Sequence, residues 1–231
     1  MSISDPKTIV ALDFPDSQQA LQFVEKLDPS LCKLKVGFEL FVAEGPHFVE
    51  TLIARGYDVF LDLKFHDIPN TVASACRVAS RLGVWMINVH AFGGQRMMEA
   101  AREAVQNESH PVKLIAVTVL TSMDDDDIQS LHVQASAREQ ALYLSQLAHQ
   151  SGLDGVVCSA QEAEAMKQLN GQGFLTVTPG IRPKGSAQGD QKRIVTPEDA
   201  FLMGADYLVM GRPVTSAIDP VAVLKEVSAF S

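Results

Sequence analysis

Short apolar runs alternate with longer amphipathic stretches along the whole chain. Runs at residues 8–13, 32–37, 59–65, 85–90, 112–118, 155–158, 174–178 and 207–210 predict eight strands, each followed by a helical pattern. Regular strand–helix alternation implies parallel pairing with helical crossovers. Parallel strands are covered on both faces and read as continuous apolar runs, as residues 114–117 and 208–210 do. The boundary signals agree. Ser159 with Glu162 forms a capping-box pair, and Thr196–Pro197 and Asp219–Pro220 each set a cap before a proline. Gly83, Gly152 and Gly204 follow helical runs, where a left-handed residue is expected. The one long connection, residues 180–194, is polar and glycine-rich, the kind of loop that serves a function or stays irregular.

Eight such units fit either an open sheet or a closed barrel. No Gly-x-Gly-x-x-Gly turn follows the first strand, which weakens a dinucleotide-binding open sheet. Polar and charged residues recur at the ends of the first, second, third, fifth, seventh and eighth strands. An open sheet would gather them at one switch point, whereas a barrel builds its site from all its strand ends. The expectation is one (β/α)8 (TIM) barrel forming a single domain over residues 1–231. A length of 231 residues and a hydrophobic share of 46% suit such a core.

The formal net charge of −9 disfavours nucleic acid and anionic membrane as partners. Any anion site must therefore be built locally. Three scattered cysteines and the absence of an apolar leader in residues 1–7 point to a reducing, cytoplasmic setting. No zinc-ligand spacing occurs, so no metal is expected.

The richest segment is Asp62-Leu63-Lys64-Phe65-His66-Asp67-Ile68-Pro69-Asn70-Thr71. With Leu61, Leu63 and Phe65 turned outward, Asp62 and Lys64 point into the barrel. Lys33-Leu34-Lys35-Val36 repeats the alternation and brings Lys35 inward near the top. With Asp67 just past the third strand, Lys35, Asp62, Lys64 and Asp67 make a candidate chain of alternating charge. Burying charges costs several kcal/mol each unless they are paired, roughly, so four of them at one end suggest function rather than stability. A lysine between carboxylates keeps its proton and is suited to acting as an acid toward a developing carbanion.

A second group suits an anion. Met210-Gly211-Arg212-Pro213 ends the eighth strand, and Thr178-Pro179-Gly180-Ile181-Arg182 ends the seventh. Glycine allows close backbone approach, and arginine adds a forked cation. Gln188 and Gln191 lie in the loop between them. Asp13 ends the first strand, as a hydroxyl acceptor or as a helix cap. Thr121 and Ser122 follow the fifth, as ligand contacts or as loop residues. His90 reads as a structural histidine sooner than a site residue, His66 as a brace for the turn and Trp85 as packing. Asp124 to Asp127 read as a solvated helix start.

These blocks resemble the orotidine 5′-monophosphate decarboxylases. The 62–71 segment is similar to that family's signature. Residues 11–13, 33–37, 119–122, 178–182 and 210–213 are similar to its other blocks, in order over nearly the whole chain. The resemblance implies decarboxylation of orotidine 5′-monophosphate (OMP) to UMP, the last step of pyrimidine biosynthesis, without a cofactor. It makes Lys64 the proton donor to C6 and sets Asp62 beside the substrate carboxylate. Lys35 would contact the ribose and hold the charge array, and Asp13 would bind ribose. Thr121 and Ser122 would meet the ring, and Arg182, Gln191, Gly211 and Arg212 the phosphate. It also implies a homodimer in which Asp67 and Thr71 reach the partner's site. Two rivals remain at this level. One is a magnesium-dependent sugar-phosphate enzyme using Glu39 on a similar barrel, and the other is a non-catalytic nucleotide-binding barrel.

Overall fold

The computed structural model describes residues 5–183 and 195–230. Eight strands, β1 (Thr8–Ala11), β2 (Lys33–Val36), β3 (Val59–Phe65), β4 (Met86–His90), β5 (Lys113–Val117), β6 (Gly155–Val157), β7 (Leu175–Thr178) and β8 (Tyr207–Met210), pair in sequence order. The barrel closes by parallel pairing of β1 with β8, Thr8 opposite Leu208. The expected (β/α)8 barrel is the observed one. Several strands are a residue or two shorter than the apolar runs. β1 stops at Ala11 and β4 starts at Met86, because ladder pairing ends where neighbouring strands part at the rims.

Alternation along the strands produces two apolar layers. Val10, Leu34, Leu61, Ile87, Leu114, Val156 and Leu208 face outward and pack under the helices. Ile9, Ala11, Phe60, Met86, Ile115, Val177, Tyr207 and Val209 face inward and fill the barrel. A one-residue slip would exchange these two sets, so the pattern itself fixes the register.

The helix boundaries follow the sequence signals. The Glu162 carboxylate accepts from the Ser159 amide at 3.0 Å. Thr196 and Asp219 cap helices Pro197–Leu202 and Pro220–Ser228, each opening on a proline. Asp124 caps Asp125–Ser130 in a reciprocal box, so the acidic run is a helix start, as expected.

A repeated helix-to-strand device sits at the opposite rim. Gly56-Tyr57-Asp58, Gly152-Leu153-Asp154 and Gly204-Ala205-Asp206 each end a helical segment with a glycine at positive φ (88°, 77° and 93°). The middle residue is buried each time. The aspartates then pair with Lys33, Arg102 and Lys167 respectively. Asp154 and Asp206 also accept the backbone N–H of Leu114 and Thr176 on the neighbouring strand, both at 2.7 Å. Each carboxylate thus ties an incoming helix to a strand edge.

Candidate active site

The C-terminal ends of the strands surround two adjoining hollows that share Lys35, Pro179 and Val209. One is the polar side, where Asp13, Gly180, Arg182, Gly211 and Arg212 converge. The other is lined mainly by apolar side chains, among them Phe60, Val117 and Val157, with Asp62, Lys64 and Thr121 at its wall. A polar end bearing two arginines beside an apolar end suits a ligand with an anionic group at one extremity and an apolar body at the other.

The charge array occupies the wall between them. The Lys64 ammonium donates to Asp62 Oδ1 at 2.7 Å. Lys35 Nζ lies 3.5 Å from Asp62 Oδ2 and 3.5 Å from Asp13 Oδ1. Gly37 makes room for this. A side-chain carbon there would come within 3.1 Å of Lys35 Nζ. Burial alone would raise the Asp62 carboxyl. The Lys35 and Lys64 ammoniums, with hydrogen bonds from Lys64 and Asn88, outweigh it and hold the group below the usual carboxylate range. Phe38 packs beneath the other side of the ammonium, its ring centroid 5.0 Å from Lys64 Nζ.

Lys64 is not in plain strand geometry. Its φ is +46°, and the β3–β4 register shifts between Leu61 and Phe65. Simple alternation brings Lys64 inward, but the actual route is a bulge. Asn88, absent from the sequence reading, holds it. The Asn88 side chain accepts from Lys64 N at 2.8 Å and donates to Asp62 Oδ1 at 2.7 Å. A signal was available. Met86, Asn88 and His90 form the inward set of β4, and an amide amid inward apolar positions asks for a polar partner.

The other expected residues divide. Asp13 takes the Lys35 side of the hollow and is not a helix cap, since Asp16 caps Ser17–Val24. Arg182 is buried, and both it and Arg212 line the polar hollow. Thr121 lines the apolar hollow, whereas Ser122 is exposed and lines neither. Asp67 does not extend the alternating charge chain: no ion pair joins it to Lys64 among the described residues. Its exposed carboxylate turns back to accept from Ile68 N at 2.6 Å. Pro69 opens a helix there, with Ile68 at its N-cap. Thr71 is exposed on the first turn of that helix, Pro69–Arg81. Glu39 lies in the exposed first turn of helix Phe38–Glu44 and lines neither hollow. Gln188 and Gln191 fall outside the described residues.

His90 and His66 stack at 5.5 Å. Burial, then the charges of His66 and Lys64, pushes the His90 imidazole down to about 4, so it is neutral at pH 7. Its Nδ1 is buried without a hydrogen-bond partner among the described residues.

Residues 6–227 match the model of the family described as orotidine 5′-phosphate decarboxylase / HUMPS. The chain is 58% identical over 225 residues to the orotidine 5′-phosphate decarboxylase of Hydrogenovibrio crunogenus, covering 97% of this chain and 95% of that one. It is 61% identical over 221 residues to that of Laribacter hongkongensis, covering 96% and 91%. Among solved structures, the orotidine 5′-phosphate decarboxylase of Lactobacillus acidophilus superposes with a TM-score of 0.87 at 38% identity, covering 98% of this chain and all of that one.

Proposed function

We propose that this chain, which belongs to the orotidine 5′-phosphate decarboxylase family, decarboxylates OMP to UMP with Lys64 as the proton donor. The activity follows from the family and from near-full-length relatives of that name. The residue roles rest on the site. The observation that carries them is the Lys64 ammonium held 2.7 Å from the largely buried Asp62 carboxylate, 13% exposed, at the wall of the apolar hollow.

In this reading the phosphate lies against Arg182, Gly211 and Arg212, which line the polar hollow. The ribose lies between Asp13 and Lys35. The pyrimidine fills the apolar hollow beside Thr121. The C6–carboxylate bond breaks, CO2 departs and its bonding electrons stay on C6. The Lys64 ammonium gives C6 a proton, and the neutral amine regains one from solvent. Nothing in the ring delocalises a charge at C6, so stabilisation comes from the adjacent ammonium, fixed beforehand by Asp62. Asp62 also faces the substrate carboxylate, and that repulsion is relieved as CO2 leaves. The fixed charges supply the chemistry without a cofactor.

The test is ultraviolet monitoring of OMP in EDTA. Wild type should form UMP. Lys64→Ala should lose on the order of 10³-fold or more in kcat while keeping its fold, as expected for removal of a positioned acid. Wild-type activity that vanished in EDTA would favour the metal-dependent rival, and UMP binding without turnover would favour the non-catalytic one.

A homodimer completes the reading. Ile68, Thr71 and Val78 follow one another along one face of helix Pro69–Arg81, and Ile68 and Val78 are 67% and 60% exposed. A second copy covering this face would hide the apolar stripe and carry Asp67 and Thr71 to its partner's site. Mixing Asp67→Ala with Lys64→Ala chains should restore one working site per mixed dimer, and no regained activity would sink site sharing.

A further inference from the structure

The β3–β4 pairing sets Leu61 opposite Ile87 and Phe65 opposite Val89, so β3 carries two more residues than β4 over the same stretch. Asp62, Leu63 and Lys64 together stand against the single residue Asn88, with Lys64 at φ +46°. A lysine in the left-handed region costs on the order of 1–2 kcal/mol, and a bulge leaves a backbone N–H without its ladder acceptor. Something must restore that bond. The Asn88 side chain does so from the facing strand, accepting from Lys64 N while its NH2 donates to Asp62 Oδ1. Asn88 is fully buried, and the same Asp62 oxygen receives the Lys64 ammonium.

We infer that Asn88 is a positioning residue for the decarboxylation. Its amide stands in for the missing ladder bond and locks the Lys64 backbone and the Asp62 carboxylate into one rigid unit. The inference rests on the reading of Lys64 as proton donor. The chemistry of the position is narrow. It requires an acceptor toward a backbone N–H and, on the same planar group, a donor toward a carboxylate. A leucine of similar size offers neither. An ionised aspartate offers only the acceptor and brings a second negative charge against Asp62. A protonated aspartate offers both. Asn88 touches no reacting atom in this scheme. It acts through the placement of the two groups that do.

The isosteric Asn88→Asp substitution therefore makes a sharp test. The charged or titratable neighbours around it are Asp62 and Lys64 on β3, Lys35 on β2, and His90 two residues further along β4. We would measure kcat and KM for OMP from about pH 5 to about pH 9, with UMP affinity alongside. At neutral pH, kcat of Asn88→Asp should fall on the order of 100-fold, the scale of a misplaced catalytic group. Its KM and UMP affinity should stay within about threefold of wild type, since the phosphate and ribose contacts are untouched. As the pH drops, the substituted carboxyl gains a proton and imitates the amide, so the deficit relative to wild type should shrink. Asn88→Leu should show the loss at every pH.

A kcat for both variants within about threefold of wild type would overturn the inference. So would parallel losses of kcat, UMP affinity and thermal stability in Asn88→Asp, with no recovery in acid, since that pattern marks a merely structural role. Should Asn88→Leu fail to fold, the pH profile of Asn88→Asp decides alone. Wild type that did not convert OMP would instead remove the reading on which the inference rests.

Discussion

Lys33 and Lys35 stand two residues apart on β2, and both turn into the barrel, yet they serve opposite ends of it in opposite ways. Lys33 is 1% exposed at the N-terminal end. It holds Asp58 at 2.6 Å and Asp5 at 3.0 Å and lies over the rings of Trp85 and Tyr207 at 4.4 and 5.9 Å. Lys35, 9% exposed, meets two carboxylates, each at 3.5 Å, and borders both hollows. The lower ammonium is closed in by short contacts and aromatic faces. The upper one is spaced between carboxylates beside a hollow that a ligand can enter. One strand with one alternation thus makes a plug at one end and a site at the other. What separates them is the distance to the counter-charges, not the presence of charge.

Exchanging each lysine for methionine should separate the two roles. Lys35→Met should lower kcat/KM for OMP on the order of 100-fold or more, as for loss of a preorganised cation at a reacting site. Its unfolding free energy should change by less than about 1 kcal/mol. Asp62 keeps Lys64 and Asn88 as partners, and apolar replacement of a buried ion often breaks even. Lys33→Met should do the reverse. It should lose about 1–2 kcal/mol of stability, from broken hydrogen bonds and cation–π contacts, while kcat stays within about twofold of wild type. The modest cost follows from Asp5 and Asp58, whose side chains are about half exposed and can return to water. Urea unfolding and steady-state kinetics on the same samples read both effects. If Lys33→Met lost activity as severely as Lys35→Met, the division of the barrel into plug and site would fail.

The sequence exposed whatever depended on period and on local chemistry. Strand alternation assigned Asp62 to the interior and Leu61 to the outer layer, and β3 occupies the residues expected of it. The caps at Thr196 and Asp219 were equally visible, because a cap and its proline are neighbours in the chain. What escaped depended on contacts between segments far apart in sequence. The bulge at Lys64 exists only in register with β4, so nothing within 62–64 announces it. Asn88 acquires its meaning from Asp62, on another strand. Lys33 looked like the unremarked half of an alternating pair, because its counter-ions come from the N-terminal segment and from the turn before β3. Asp67 was expected in the charge chain because it lies close in sequence, but the turn into Pro69 carries its carboxylate to the backbone of Ile68.

Acid should also tell the two ends apart, more gently than substitution. Near the site, His90 is held neutral, its imidazole pushed down to about 4 by burial first and then by His66 and Lys64. The unfolded chain takes up this proton near the ordinary histidine value of about 6.5, well before the native protein does. Between those values the unfolded state binds more protons, so stability falls as the pH drops from about 6.5 toward about 4. At the plug, Asp5 behaves like a paired carboxylate. Burial would raise it, but hydrogen bonds from Lys7, Lys33 and Tyr207 bring it down to about 2. Its contribution is complete above the ordinary carboxylate value and fades only as the pH falls toward about 2. The site end should therefore weaken first. Urea midpoints between about pH 7 and about pH 4.5 should decline less steeply for His90→Gln than for wild type, whereas Asp5→Asn should leave the slope in that window nearly unchanged. Superimposable pH profiles for wild type and His90→Gln would show that the stacked histidine carries no such linkage.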